Sequence, residues 1–150
     1  MKHARSAARA LCIQALYQLD FGPEDPRAYI SDFLLRCDET DGQTRSEARS
    51  LAYATVDERE RIDRLISEAS QKWNLNRIAA VDRAILRLGV CELLLNKTAP
   101  KIVLDEAIEL AKAYSTKESG QFVNGVLDAI LNRPDLEQFR NKTELPAELA

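Results

Sequence analysis

The stretch "IAAVDRAILRLGVCELLL", residues 78–95, decides the fold because its apolar residues lie on two sides of a helix. Successive residues of a helix turn by about 100°, which separates these apolar residues into two rows. The first row contains Ile78, Val81, Ile85, Leu88, Cys91 and Leu95, and the second contains Leu86, Val90, Leu93 and Leu94. A helix that is apolar on two sides is buried by neighbours on both. We therefore predict that a helix over residues 77–95, capped by Asn76, is the central element of the fold.

Helical spacing of apolar residues continues on either side of this stretch, and strand patterns are almost absent. Two Ser/Thr-x-x-Glu capping boxes mark helix starts, at Thr44 and at Ser115. The first opens a predicted long helix over residues 44–69, and the second precedes the stretch "SGQFVNGVLDAI", residues 119–130. Further helices are predicted over the apolar stripe at residues 8–19, the shorter segment 29–35 and the segment 100–114, which begins at Pro100.

The dipeptide Asn124-Gly125 lies inside the last of these stretches, although Asn-Gly is the strongest short signal for a hairpin turn. Apolar residues recur at helical spacing on both sides of it, so we predict a continuous helix. Gly125 has no side chain, which would let a neighbouring helix or an RNA backbone approach closely. Phe122 falls at the edge of the apolar face of this helix.

The composition is that of a single domain made mainly of helices. The chain has 150 residues, of which 45% are hydrophobic and 30% charged, with only five Gly and five Pro to form turns. No apolar run approaches the roughly 20 residues that span a bilayer, and the amino terminus lacks the apolar core of a signal peptide. We therefore predict a cytoplasmic protein that does not enter the membrane.

Residues that commonly perform catalysis or bind metals are scarce. The chain has three cysteines, far apart, and one histidine, which supports neither a disulfide framework nor a zinc site. A phosphate-binding Gly-rich loop, a nucleophilic Ser turn and a catalytic triad are also missing from the sequence. Glu106 and Glu109 share a helix face, but nothing else supports acid and base catalysis by them. The residues alone therefore support neither a metal site nor a catalytic site.

The first nineteen residues are basic, whereas the whole chain has a net charge of −3. Lys2, Arg5 and Arg9 would lie within about 60° of one another on a helix. Arg5 points in the direction of Cys12 and Leu19, on the face that should be buried, and an unpaired arginine in a core is costly. We therefore expect the first two turns to project beyond the bundle or to be unwound, which leaves a basic arm. Such an arm suits RNA phosphates, but a merely solvated terminus carries the same charges.

Tyr17 is the aromatic residue nearest to this arm, and it points about 180° away from Ala8 on the predicted helix. It is therefore exposed unless another element covers it. An exposed aromatic ring near cations can stack on an unpaired base, and a protein partner would use it equally well.

Four stretches of the chain resemble the NusB family of bacterial transcription antitermination factors, in the same order and at the same spacing. The resemblance extends to about residue 133 and rests on "ALCIQALYQLD" (10–20), "VDRAILRLGVCELL" (81–94), "APKIVLDEAIELAKAYS" (99–115) and "SGQFVNGVLDAI" (119–130). It implies an all-α fold of about seven helices in two small side-by-side bundles. It divides the chain into a helical RNA-binding domain, residues 1–133, with sub-bundles at roughly 1–75 and 76–133, and a partly flexible extension, residues 134–150.

The resemblance also implies a function. NusB proteins bind the boxA element of nascent RNA together with NusE, a small-subunit ribosomal protein. This pair starts the assembly of a complex with RNA polymerase that suppresses termination, especially in ribosomal RNA operons. The resemblance implies no cofactor and no small-molecule substrate.

Site residues follow from the resemblance position by position. The RNA-binding set combines the basic amino terminus with the start of the Phe-Val-Asn-Gly helix, and it contains Lys2, Arg5, Arg9, Tyr17, Glu118, Gln121 and Phe122. The surface that faces NusE corresponds to Asn76 and Asp82, and for Asp82 a surface ion pair with a helix neighbour is the alternative.

The amino terminus "KHARSAAR", residues 2–9, departs from the arginine-dense pattern that is common in the family. Fewer phosphate contacts predict weaker RNA affinity, a shallower salt dependence and more reliance on NusE. Two other interpretations stay open. The first is a protein-only module, such as a homodimer in which an acidic face covers the basic arm. The second is an accessory domain that acts in trans on an RNA methyltransferase.

Overall fold

The computed structural model describes residues 5–37, 40–70 and 75–140, and within these ranges it contains eight α-helices, one 3₁₀ turn and no strand. No helix in these ranges is long and apolar enough to span a bilayer. The helices are α1 (Ser6–Leu19), α2 (Pro26–Leu35), α3 (Gly42–Asp57), α4 (Arg59–Ser70), α5 (Ala80–Leu95), α6 (Pro100–Tyr114), α7 (Lys117–Leu131) and α8 (Leu136–Arg140), with the 3₁₀ turn at Leu75–Arg77 before α5.

Helix α5 is the central element, as its two apolar rows predict. Every residue from Ala84 to Leu94 is buried, and the helix packs against α1, α3, α4, α6, α7 and α8. It begins three residues later than predicted, because Asn76 lies in the 3₁₀ turn and Ala79 occupies the capping position without a side-chain hydrogen bond. The prediction that Asn76 caps this helix is therefore wrong.

The long helix predicted over residues 44–69 is interrupted at Glu58, where α3 ends and α4 begins. Helix α3 packs on α1, α2 and α5, whereas α4 packs on α5 and α7, so the two helices share α5 and differ in their other neighbours. Neither Gly nor Pro marks this break. Helix α4 contacts the carboxy-terminal helices α5 and α7, and the predicted division into sub-bundles between residues 75 and 76 stays a prediction.

Both predicted capping boxes lie close to the actual caps but not on them. Asp41 caps α3 by accepting a hydrogen bond of 2.8 Å from the backbone N–H of Thr44. Thr116, the residue after Ser115, caps α7 by accepting from the backbone N–H of Ser119 at 3.1 Å. In each case a second oxygen-bearing residue near the predicted cap has the extended backbone that capping requires.

Helix α7 runs without interruption through Asn124 and Gly125, so the helical prediction is confirmed. A Cβ atom placed on Gly125 would have no neighbour within 4 Å, which means that no helix packs there. The close approach is instead at Gly89 in α5, where a Cβ atom would lie 2.9 Å from Cδ1 of Leu127. Gly89 is therefore the residue that lets α5 and α7 come together.

Helix α8 belongs to the predicted carboxy-terminal extension and packs on α5. Leu136 is buried, and Nε of Arg140 donates a hydrogen bond of 3.0 Å to the carbonyl oxygen of Leu93. Residues 141–150 lie outside the described residues, and the predicted flexibility of the extension stays a prediction.

Candidate nucleic-acid interface

Arg5 immediately precedes α1 and has a left-handed backbone, with a φ of 68°. Its side chain is 48% exposed and lies 4.0 Å from the carboxylate of Glu47. Arg5 thus lies outside the helix and at the surface, but the prediction that the first two turns project or are unwound is wrong beyond it, because α1 begins at Ser6 and Ala8 and Arg9 are buried. Lys2, the other candidate cation before the helix, lies outside the described residues.

Arg9 is buried, with only 1% of it exposed, whereas we predicted that it belongs to an exposed basic arm. Its Nε and Nη2 donate to the two carboxylate oxygens of Glu92 at 2.8 and 2.9 Å, and its Nη1 donates to Glu106 at 3.3 Å. The hydroxyl of Ser6 also donates to Glu106. We call Arg9, Glu92 and Glu106 the amino-terminal cluster.

The prediction that Arg9 belongs to the RNA-binding set is therefore wrong. The prediction assumed that an arginine on this face would be unpaired, whereas two carboxylates from α5 and α6 surround it. Burial opposes its charge, but the hydrogen bonds and charges of Glu92 and the charge of Glu106 outweigh burial and raise the pKa of Arg9. Arg9 fixes the start of α1 against the core and does not present its guanidinium to a phosphate.

Lys97 is a surface cation that sequence reasoning missed. It follows the carboxy-terminal end of α5 and lines a polar pocket of about 130 Å³ together with Arg5. The hydroxyl-bearing residues Ser46, Ser50 and Thr98 line the same pocket. A lone lysine in the connection between two helices gives no signal in the sequence, because its proximity to Arg5 depends on α1 packing against α5.

A second buried arginine lies at the opposite end of α1. Nε and Nη2 of Arg87 donate to Asp63 at 2.8 and 3.1 Å, and Nη1 donates to Asp20 at 2.8 Å. Asp20 also accepts from Arg83 at 3.1 Å and from Arg59 at 3.3 Å. We call Asp20, Asp63 and Arg87 the carboxy-terminal cluster; sequence analysis missed it.

Tyr17 is half-buried, in contrast to the fully exposed ring that was one expectation. Its ring centroid lies 5.3 Å from that of Phe21, which is 65% exposed. Tyr17 lines a groove of about 280 Å³ whose other walls include Phe33, Val81 and Tyr114. The groove offers aromatic surface to a base or to a protein side chain.

The start of α7 and the start of α5 meet in a cleft of about 290 Å³, which we call the α5–α7 cleft. It contains two predicted RNA-binding residues, Glu118 and the half-buried Phe122, and the predicted partner residue Asp82. Gln121 is exposed on α7 but does not line the cleft, and Asn76 is exposed in the 3₁₀ turn beside it. The lining residues are Arg77, Ile78, Ala79, Asp82, Thr116, Glu118, Ser119 and Phe122.

Asp82 is buried within this cleft, with 7% of it exposed. Its Oδ2 accepts a hydrogen bond of 2.9 Å from the hydroxyl of Ser119, whereas its buried Oδ1 has no hydrogen-bond partner among the described residues. The alternative that Asp82 forms a surface ion pair is therefore wrong. The structure also brings Asp82 together with Glu118 and Phe122, which sequence reasoning had assigned to a different surface.

The candidate residues form two patches at opposite ends of α5. Arg5 and Lys97 lie near the carboxy-terminal end of α5, where Arg9 contacts Glu92, and the α5–α7 cleft contains Asp82 at the other end. Ten residues of helix separate Glu92 from Asp82, a distance of about 15 Å along the axis. The groove with Tyr17 adjoins the cleft, since Val81 lines the groove and its neighbour Asp82 lines the cleft.

Comparison with known proteins agrees with this architecture. Residues 6–132 match the model of the NusB family. The chain belongs to the NusB family. A transcription antitermination protein NusB from Bacillus mycoides is 41% identical over 128 residues, which cover 84% of this chain and 95% of that protein. The NusB of Anaeromyxobacter dehalogenans strain 2CP-1 is 39% identical over 130 residues, covering 87% of this chain and 92% of the relative.

Solved structures of the NusB family have the same fold. NusB of T. maritima superposes with a TM-score of 0.74 at 36% identity, covering 99% of this chain and 98% of that one. The crystal structure of the antitermination factors NusB and NusE in complex with dsRNA contains a chain that superposes with a TM-score of 0.77 at 31% identity, covering 87% of this chain and 98% of that one. The all-α fold predicted from the sequence is thereby confirmed.

Proposed function

We propose that this protein is a transcription antitermination factor that binds boxA RNA together with NusE and helps RNA polymerase to transcribe ribosomal RNA operons. The proposal is supported by membership of the NusB family and by the similarity to a NusB chain solved with NusE and dsRNA. The observation that carries it is the half-buried ring of Phe122 at a cleft that adjoins the aromatic groove of Tyr17. Aromatic rings in such positions stack on unpaired bases.

The cations at the far end of α5 suit the phosphates of the same RNA. Arg5 and Lys97 line one pocket with three hydroxyl-bearing residues, all groups that contact phosphate oxygens, and two glutamates line the same pocket. The separation of about 15 Å between Glu92 and Asp82 along α5 corresponds to roughly four stacked nucleotides at about 3.4 Å each, so a short single-stranded segment is long enough to join the two ends of this helix.

The protein performs no chemistry in this function and works in the cytoplasm with RNA polymerase.

Its intrinsic RNA affinity depends on few cations, since Arg9 contacts two carboxylates in the core. NusE then supplies part of the binding free energy. A second copy of the chain can occupy the groove lined by Tyr17, Phe33 and Tyr114 only in place of RNA. Sedimentation at several concentrations, with and without RNA, detects such a dimer.

Phe122→Leu tests the stacking proposal. Loss of one stacking platform costs roughly 1–3 kcal/mol, so we expect boxA RNA affinity to fall by roughly 5- to 150-fold, measured by fluorescence anisotropy with and without NusE. Phe139→Leu is the matched control, because Phe139 is also half-buried but lies in α8, next to Arg61 and Arg133 and outside the cleft. Equal affinities of both variants and the unmodified protein would contradict the role of Phe122.

The salt dependence of the same binding reaction tests the cations. Arg5→Gln and Lys97→Gln should each reduce the slope of log affinity against log salt by about 0.7, the value for one contact to a single strand. A folded Arg9→Gln variant should leave the slope unchanged, since its guanidinium is buried. A reduced slope for Arg9→Gln would restore Arg9 to the RNA-binding set.

A further inference from the structure

Arg83 connects three segments of the chain that are far apart in the sequence. It lies near the start of α5, and its side chain is 15% exposed. Its Nε donates a hydrogen bond of 3.1 Å to Oδ2 of Asp20, the residue that follows α1. Its Nη1 donates a hydrogen bond of 3.2 Å to the backbone carbonyl of Leu75, in the 3₁₀ turn before α5. One guanidinium therefore joins the end of α1 and the 3₁₀ turn to the start of α5.

The 3₁₀ turn, Leu75–Arg77, is only three residues long, so its own backbone supplies few hydrogen bonds. The backbone N–H of Ile78 donates to the carbonyl of Leu75 at 3.2 Å, and Arg83 uses the second acceptor position of the same oxygen. Ile78 is buried, whereas Arg77 is exposed. The turn is thus held at its first residue by Arg83 and at its far end by the buried Ile78.

We propose that Arg83 is a positioning residue for RNA binding, which holds Arg77 in place relative to Tyr17 of α1. Arg77 lines the α5–α7 cleft and Tyr17 lines the aromatic groove, whereas Arg83 lines neither. Arg83 acts through the turn that carries Arg77 and through Asp20, which lies three residues after Tyr17. This inference rests on the proposed function and adds to it a residue that lies outside both surfaces.

Order in these segments before binding matters because an RNA that contacts both surfaces would otherwise have to fix them as it binds. Immobilising a loop or a flexible side chain on binding lowers the affinity, and preorganisation removes that cost. Arg77 is exposed, so contacts on the buried side of the turn must supply the order. The two hydrogen bonds of Arg83 are partly buried and lie on that side.

A planar guanidinium suits this task because its nitrogens point in fixed directions. Nε is directed to Asp20 and Nη1 to Leu75, so one side chain serves a carboxylate and a carbonyl at once. A lysine keeps the charge but has a single nitrogen, which cannot reproduce both hydrogen bonds. Asp20 keeps Arg87 and Arg59 as donors when Arg83 is changed. The carbonyl of Leu75, in contrast, has no other side-chain donor among the described residues.

Arg83→Lys tests this inference, with Arg59→Lys as the matched control. Arg59 also donates to Asp20, at 3.3 Å, and lies 3.7 Å from Asp63, and neither contact involves the 3₁₀ turn. Both substitutions keep the net charge and weaken the same cluster of charges. We expect the affinity for boxA RNA with NusE, measured by fluorescence anisotropy, to fall about fivefold for Arg83→Lys and less than twofold for Arg59→Lys. Circular dichroism spectra confirm that each variant is folded.

A double-mutant cycle separates positioning from a general loss of stability. Arg77→Gln removes the cation that the turn presents, so in this background Arg83→Lys should change the RNA affinity by less than twofold. A loss of stability alone would lower the affinity by the same factor in both backgrounds. Hydrogen exchange followed by mass spectrometry gives a second readout. Peptides that contain Ile78 should exchange faster in Arg83→Lys and not in Arg59→Lys, because the carbonyl that accepts from this amide is less well held.

The outcomes are distinct. A fivefold loss for Arg83→Lys that disappears in the Arg77→Gln background, with faster exchange at Ile78, establishes the positioning role. Equal RNA affinities of Arg83→Lys and Arg59→Lys, or a loss that persists in the Arg77→Gln background, would overturn that role and leave the proposed function intact. If the unmodified protein does not bind boxA RNA even with NusE, the proposed function is refuted and the inference with it.

Discussion

The two buried arginine clusters at the ends of α1 have the same geometry but differ in exposure and in the number of cations. In each, an arginine makes two hydrogen bonds to one carboxylate and one to another. In the amino-terminal cluster the side chains of Arg9, Glu92 and Glu106 are 2%, 5% and 7% exposed, and the described residues provide one cation for two carboxylates. In the carboxy-terminal cluster the side chain of Arg87 is 5% exposed, while those of Asp20 and Asp63 are 11% and 22% exposed.

The carboxylates of the carboxy-terminal cluster also pair with arginines other than Arg87. Asp20 accepts from Arg83 and Arg59 as well as from Arg87, and Arg59 lies 3.7 Å from Asp63. The comparison indicates that the cost of losing one charge depends on which charges remain beside it and on how much water reaches them. The amino-terminal cluster should therefore be sensitive to the loss of its cation, and the carboxy-terminal cluster to the loss of a carboxylate.

Removal of the buried arginine from each cluster should give the largest difference in the free energy of unfolding. Arg9→Ala leaves two carboxylates buried side by side, so we expect the free energy of unfolding to fall by about 3–5 kcal/mol. Arg87→Ala should cost about 2 kcal/mol, because Asp20 keeps two arginines and Asp63 is partly hydrated. Urea denaturation followed by circular dichroism measures both values, and Arg64→Ala, at an exposed arginine of α4, is the control. Equal losses for Arg9→Ala and Arg87→Ala would remove the distinction between the clusters.

Removal of one carboxylate charge should destabilise the protein more in the carboxy-terminal cluster than in the amino-terminal cluster. Asp20→Asn weakens contacts with three arginines, for which we expect a loss of about 2 kcal/mol. Glu106→Gln keeps an acceptor for Arg9 and relieves the repulsion between two carboxylates, so its cost should stay below about 1 kcal/mol. The same urea titrations measure these values. A Glu106→Gln variant less stable than Asp20→Asn would show that net charge does not govern the clusters.

The smallest expected effect is on the reactivity of the thiols between the clusters. Cys12 in α1 and Cys91 in α5 are fully buried, and burial raises the pKa of Cys12 and raises that of Cys91 to about 12. Both thiols should therefore stay neutral and unreactive toward a thiol reagent at mildly alkaline pH, whereas the partly exposed Cys37 reacts. Glu106→Gln should leave this protection unchanged. Rapid labelling of Cys12 or Cys91 in the folded protein, followed by mass spectrometry, would show that the cluster region opens locally.

The helices could be predicted from the sequence because their signals are local. The two apolar rows of α5 and the periodicity around Asn124-Gly125 depend on residues within a few turns of each other. The break at Glu58 could not be predicted, since neither Gly nor Pro marks it and α3 and α4 differ only in their neighbours other than α5. The caps at Asp41 and Thr116 were missed narrowly, because several residues with side-chain oxygens compete for each helix start.

The site was predicted less completely, because its decisive contacts join residues far apart in the chain. Arg9 meets Glu92 and Glu106 across 83 and 97 residues, and a helical pattern in α1 contains no information on that pairing. A carboxylate on the buried face of each of α5 and α6 was the available signal, since buried charges need partners. Likewise, the resemblance identified Glu118, Phe122 and Asp82, but only the meeting of α5 and α7 places them in one cleft.

The continuous burial of α5 also has a consequence for how the molecule unfolds. One side of this helix closes the core of α1 and α3, and another closes the core of α4, α6 and α7, so neither group retains an intact interior without it. The backbone amides of α5 should therefore exchange with solvent deuterium only through global unfolding, while those of the peripheral helix α2 exchange through smaller openings. Because α5 is part of both cores, we expect all these helices to unfold together as one cooperative unit.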